Sequence, residues 1–194
     1  MNLISKFLLF FVFTYLVSSA LVAQNSNKEW QVGYFAPYLS NMGGTVGYAF
    51  DLKELGDNST EQRKSKQRLQ ILTQLGYFAQ TNVSHNFLLN PELVYRWNKS
   101  DKRFFLTSSV GLGYLLAFQR QDGTLNLGTG KIIYRYDDLH YFLPSLNIGL
   151  GVDPKKHLGF YFKATYGRKL SIQNANAAFV GISTGLIVTF NSKK

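Results

Sequence analysis

Cysteine does not occur in the 194-residue sequence. Its absence excludes a disulfide framework, a thiolate metal site and a cysteine nucleophile. It also excludes a lipid anchor attached through a cysteine behind a signal sequence. Proline is scarce at 4 residues, and charged residues make up 16%, below the ~25% usual in soluble domains. After residue 23 no stretch approaches the ~20 apolar residues a membrane-spanning helix needs, and no helical period stands out.

What is present is a large stock of aromatic and small residues: 16 Phe, 12 Tyr and 17 Gly, with 45% hydrophobic residues overall. That profile suits an all-β protein with an apolar exterior. The net charge of +10 fits anionic lipid as well as it fits nucleic acid. The N-terminus separates the two. Lys6, an apolar run from Phe7 to Val17, and the small residues Ser18, Ser19, Ala20 and Ala23 form a secretory signal peptide over residues 1–23, with cleavage expected after Ala23. An exported chain is a poor candidate for nucleic-acid binding, so residues 24–194 are read as one domain with no nucleic-acid partner.

Strict alternation recurs along that domain. Trp30, Val32, Tyr34, Ala36 and Tyr38 share one face; Val46, Tyr48, Phe50 and Leu52 the next; then Leu69, Ile71, Thr73, Leu75 and Tyr77. From Val83 to Trp97 the odd positions are mostly apolar, and from Phe104 to Phe118 the even ones. Three more runs follow: Phe142 to Val152, Leu158 to Tyr166, and Val180 to Phe190. Eight strands is an even number, and each is near or above the ~9–11 residues of a tilted transmembrane strand. The opposite faces hold Gly, Ser, Thr, Asn and Gln, too much glycine and too few charges for a solvated surface. A β-protein crosses a bilayer only as a closed barrel, so the expected fold is an eight-stranded antiparallel transmembrane β-barrel. Its apolar face meets lipid, and Trp30, Tyr38, Tyr95, Trp97, Tyr166 and Phe190 sit near the interfaces. The alternative is a soluble periplasmic lipocalin-like carrier with the faces exchanged, because alternation alone does not name the inside.

The connections expected at the two ends differ. Leu39 to Met42, Gln80 to Asn82, Arg120 to Asp138 and Ser171 to Ala177 fall at one end, and a long basic connection from Glu54 to Lys66 at the other. Pro91 has no free edge to occupy in a closed barrel, so a bulge or kink is expected there.

The apolar-outside strands, the stretches NPELVYRW, FFLTSSVGLGYLLAF and LPSLNIGLGVD, and a last strand ending in aromatic Phe190 resemble the small outer-membrane β-barrel family of Gram-negative bacteria, the OmpA-barrel, OmpX and OmpW type. Asn191 to Lys194 follow that aromatic, a departure from the family pattern. The resemblance implies location in the cell outer membrane. It also implies contact with outer-membrane lipid and lipopolysaccharide, handling by the barrel-assembly machinery, and an extracellular or periplasmic protein partner.

Catalytic patterns are missing. His85, His140 and His157 have no metal-ligand partner at i+2, i+3 or i+4. The family's lipid A deacylases resemble a barrel with His and Ser two apart on one strand, whereas these histidines lead to Phe87, Phe142 and Gly159. The adjacent Asp137 and Asp138 read as loop acids, and the GLG and GTG triplets open no helix. No cofactor, metal or catalytic residue is assigned. Charges on the inner faces point to a polar network in the lumen, made of Asp51, Gln70, Gln74, Asn86, Glu92, Arg96, Asn147 and Lys163. Isolated ions there would cost several kcal/mol or more. The expected function is non-enzymatic, structural or surface-binding. Alternatives are a passive channel for small or hydrophobic solutes and, less favoured, a lipid-modifying enzyme.

Overall fold

The computed structural model describes residues 28–38, 41–57, 65–80, 83–99, 103–126, 131–154, 157–171 and 176–189. The expected signal peptide, Phe190 with the tail behind it, and the middle of the basic stretch lie outside these residues.

The alternating segments form strands β1 (Lys28–Pro37), β2 (Met42–Asp57), β3 (Ser65–Gln80), β4 (Ser84–Lys99) and β5 (Phe104–Arg120). Two three-residue strands follow, β6 (Thr124–Asn126) and β7 (Lys131–Ile133), and then β8 (Tyr136–Val152), β9 (Leu158–Lys169) and β10 (Ala177–Thr189). Eight of them close into one antiparallel barrel in the order β1-β10-β9-β8-β5-β4-β3-β2, while β6 and β7 pair as a separate hairpin. Closure is made by β1 against β10, from Glu29↔Thr189 to Pro37↔Gly181. A closed barrel leaves no unpaired edge, which is the condition for a sheet to lie in hydrocarbon.

The faces are as the alternation orders them. Ile148, Leu146, Leu75 and Tyr166 on the outer wall are 60–72% exposed, while Glu92 and Arg96 inside are 2% and 1% exposed. Apolar side chains outside and ions inside reverse a water-soluble barrel, so the lipocalin-like reading falls away. The outward positions 142–152 on β8 and 158–166 on β9 carry no charge. Trp30, Tyr95, Trp97 and Phe104 stand outside at one end, and Tyr77, Phe87, Phe142 and Tyr166 nearer the other. Such rings suit the two interfaces, where an apolar body and a polar edge are both accommodated.

Several expectations are corrected. The inner face is not uniformly small: Phe35, Leu72, Phe78, Leu88, Phe105, Leu115, Leu143, Tyr161, Phe179 and Ile187 share it with Gly and Ser. Side chains must fill a barrel of eight strands, so large residues alternate with glycines there. Phe50 keeps the outward parity of Tyr48, against whose ring it packs at 6.3 Å, yet it is 1% exposed. The connection expected from Glu54 to Lys66 is shorter, since β2 and β3 continue to the pair Asp57↔Lys66. Register shifts between Asp51 and Lys53 and between Glu54 and Asp57 bend that extension. Pro91 makes no bulge. It keeps register with Thr73, and the β4–β5 ladder passes from Leu89↔Tyr114 to Glu92↔Gly111 without a shift. The ladder leaves out the pairs at Asn90 and Pro91, which accommodates the missing N–H without displacing a side chain.

Candidate functional site

The lumen is organised in layers because inward positions of neighbouring strands stack level by level. Toward the end that carries the β5–β8 connection, here the upper end, Phe35, Phe78, Leu88, Leu115, Leu143 and Phe179 form one apolar cluster, with Tyr141 packed against it. Phe35 meets Phe78 edge-on at 5.6 Å and Phe179 at 6.1 Å.

Below that plug lies a polar belt. Lys163 on β9 reaches across to donate to Gln74 Oε1 at 2.5 Å and Glu92 Oε1 at 2.7 Å. Asn90 donates to Glu92 Oε1 at 2.8 Å, Ser109 to Glu92 Oε2 at 2.7 Å, and Asn147 to Ser109 Oγ at 2.9 Å. A carboxylate taking three donors and an ammonium with two acceptors meet the condition under which buried charges are tolerated. Beneath, the small clusters Ala49–Leu72–Val94 and Phe105–Tyr161–Ile187 flank the lumen.

A second ionic group closes the lower end. Arg96 donates to Glu29 Oε2 at 2.8 Å, pairs with Asp153, and lies 3.8 Å over the Phe105 ring. Arg68 sits 3.5 Å from Asp51 and 3.9 Å from both Glu29 and Asp153. Gln70 donates to Asp51 Oδ1 at 2.6 Å, and Arg103 donates to the Asp153 carbonyl at 2.6 Å.

The eight residues expected in one network are therefore divided. Gln74, Glu92, Asn147 and Lys163 belong to the middle belt, and Asp51, Gln70 and Arg96 to the lower group. Asn86 joins neither: near the upper end, it donates to Ser84 Oγ at 2.9 Å and the Phe78 carbonyl at 3.3 Å. The partition has a physical reason. Roughly 30 Å of strand separates Asn86 from Arg96 at ~3.3 Å per residue, and apolar layers fill the gaps. Sequence reasoning missed Glu29, Arg68 and Asp153. The parity signal was present for two of them: Glu29 shares it with inward Gln31, and Arg68 with inward Gln70. Asp153 follows the last residue of β8 and enters the group from beyond the strand end.

Between these groups lies a cavity of about 30 Å³ bordered by Gln70, Glu92, Arg96, Tyr161 and Lys163. Another of about 10 Å³ is bordered by Thr45, Gln74, Asn90, Ser145, Lys163 and Ser183. Lys163 lines both. One water needs ~10–15 Å³ on this measure, so these spaces suit single waters and not a solute.

The histidines are engaged elsewhere. His85 shares a 2.8 Å hydrogen bond with Tyr77, and His157 lies 3.1 Å from the Thr189 carbonyl. His140 pairs with Tyr114 and lies 3.2 Å from Asp138 Oδ2, all three on the outer face. Among the described residues no group of three or more His, Asp or Glu could hold a metal ion.

An outward apolar wall, a closed antiparallel ladder and an ionic interior together decide the class. The chain is built as an outer-membrane β-barrel. A solved structure agrees on the fold. The crystal structure of the outer membrane enzyme PagL has a TM-score of 0.54 at 14% identity, over 84% of this chain and 99% of that one. The N-terminal barrel domain of Pseudomonas aeruginosa OprF gives 0.46 at 16% identity, over 84% and 98%. A major outer membrane protein from Thermus thermophilus gives 0.48 at 8% identity, over 86% and 100%. At such identities the likeness is one of fold. No family model matches the chain, and no curated protein matches it.

Proposed function

We propose that this outer-membrane barrel is a non-catalytic envelope protein, with a structural and surface-interaction role and a lumen that does not conduct solutes. The observation that carries the reading is the filled lumen: an apolar plug above, a hydrogen-bonded Lys163–Glu92 belt in the middle, and the Arg96–Glu29–Asp153 group below. Small barrels of this kind have short periplasmic turns and longer outer loops. On that pattern the β6–β7 hairpin lies outside the cell, and the start of β1 and the end of β10 lie on the periplasmic side. The shortened β2–β3 connection, 58–64, fits this orientation better than the long turn expected from sequence.

The outer wall meets lipid. Lipopolysaccharide contact at the upper rim and delivery by the barrel-assembly machinery belong to the same proposal. PagL is an outer membrane enzyme of the same fold, but fold does not carry activity, and a His with Ser two residues on is absent from this sequence. The test is reconstitution into liposomes. Swelling in sugars and planar-bilayer conductance should match protein-free controls, and expression should leave the mass of lipid A unchanged. Reproducible conductance would overturn the closed lumen, and a lipid A mass change would overturn the absence of catalysis.

A further inference from the structure

The upper mouth of the barrel holds a cation that, among the described residues, no carboxylate pairs with. Lys169 is the last residue of β9, and its parity, shared with inward Tyr161, Lys163 and Thr165, turns it into the mouth rather than toward lipid. Its Nζ lies 5.4 Å from the centre of the Tyr38 ring, 5.6 Å from Tyr141 and 5.7 Å from Phe179. Among the described residues no Asp or Glu comes within 4.0 Å of it. The sequence segments 39–40, 81–82, 127–130 and 172–175 contain no acidic residue.

The aromatic bowl around it is tied to β10 through Tyr38. Tyr38 has φ 53°, a left-handed conformation unusual for a non-glycine residue. Two bonds to β10 keep it there: its N–H donates to the Val180 carbonyl at 2.8 Å and its hydroxyl to the Ala178 carbonyl at 2.7 Å. The ring is thereby set edge-on to Phe179 at 5.8 Å, while 42% of the residue stays exposed. Backbone strain retained at a surface ring points to function. Beneath the bowl the Phe35–Phe78–Leu88–Leu115–Leu143–Phe179 plug blocks further entry, so a ligand would stop at this level.

We infer that the mouth is a binding site for the acidic sugar of a free oligosaccharide, with Lys169 pairing the sugar carboxylate and Tyr38 and Tyr141 packing on its ring. An ammonium supplies the charge, and flat aromatic faces supply the apolar surface that a pyranose ring requires. A lipid headgroup is the less suitable source, because it would approach the outer wall while Lys169 faces the axis. The inference rests on the proposed surface-interaction role and names its ligand class.

Titration calorimetry on the protein in liposomes tests it, with a trimer of galacturonic acid, a trimer of galactose and inorganic phosphate as probes. The acidic trimer should bind with an affinity that falls as salt rises, and the neutral trimer should bind at least tenfold more weakly. Phosphate alone should also bind at least tenfold more weakly. Lys169→Met and Tyr38→Ala should each lower the affinity for the acidic trimer at least tenfold, and Lys169→Arg should retain it. A wild-type mobility shift between unboiled and boiled samples certifies that each variant is folded. If Tyr38→Ala fails to fold, Lys169→Met against Lys169→Arg decides the question. Three results would overturn the inference: no binding by the wild type, equal binding of neutral and acidic trimers or of phosphate, or unchanged affinity in Lys169→Met. None of these touches the conductance and lipid A results, so the two readings fail separately.

Discussion

Lys163 Nζ lies 2.7 Å from Glu92 Oε1, joining β9 to β4 across the lumen. The two residues are 71 positions apart in sequence. Both are buried, so the pair is sensitive to the loss of either partner. Glu92→Leu or Lys163→Met alone should destabilise the barrel by about 3–5 kcal/mol, the usual effect of leaving one buried charge unpaired. The double variant should recover most of that loss. Urea unfolding in lipid vesicles, read by tryptophan fluorescence, measures all three. Additive losses in the double variant would refute the coupling.

Arg96 ties Glu29 on β1 to Asp153 beyond the end of β8. Arg96→Leu removes that tie and leaves two carboxylates facing each other near Arg68. The temperature at which the folded form disappears on unboiled gels should fall clearly below that of the wild type. Unchanged heat stability would show that the lower ionic group contributes nothing to holding the barrel.

Glycines on the two walls predict a contrast. A Cβ at Gly111 would stand 2.6 Å from Ser145 Oγ and 2.8 Å from Asn90 Oδ1, whereas one at Gly44 meets nothing nearer than 3.7 Å. Gly111→Ala should therefore destabilise by about 1–3 kcal/mol, the range for overpacking. Gly44→Ala should be neutral or stabilise by up to about 1 kcal/mol through the unfolded chain. The same urea titration separates the two.

Leu146 lies near the middle of the outward stretch 142–152 and is 60% exposed. Arginine there should lower stability in lipid by about 2–4 kcal/mol, as charges do at the bilayer midplane. Tyr136→Arg, on the part of β8 that pairs only with β5, should change stability little. Equal effects at the two positions would place the apolar belt elsewhere.

Much of the barrel was legible because its two faces differ in chemistry. Strings such as Leu158, Phe160, Phe162 and Tyr166 alternate with Gly159, Lys163 and Gly167, and period-two patterning maps directly onto the two sides of a strand. The extended β2–β3 hairpin was less legible. Asp51 to Asp57 is charged and bulged, and a bulge shifts parity in the middle of a strand. The site at the mouth left no local signal. Tyr38, Tyr141, Lys169 and Phe179 come from four separate segments, and the left-handed turn at Tyr38 is not marked by glycine or asparagine.

Composition and alternation by themselves determined that this chain forms an all-β barrel of eight long strands, with an apolar face and an ionic one. Those are properties of neighbouring residues, and each strand reports them alone. Which inward charges meet was decided by the tertiary structure. Closing β1 onto β10 sets the stagger of all eight strands. That stagger brings Lys163 to Glu92 and Arg96 to Glu29, and leaves Asn86 with Ser84 and the Phe78 carbonyl. Partners in a lumen are chosen by height along the barrel axis, a coordinate that no single strand contains.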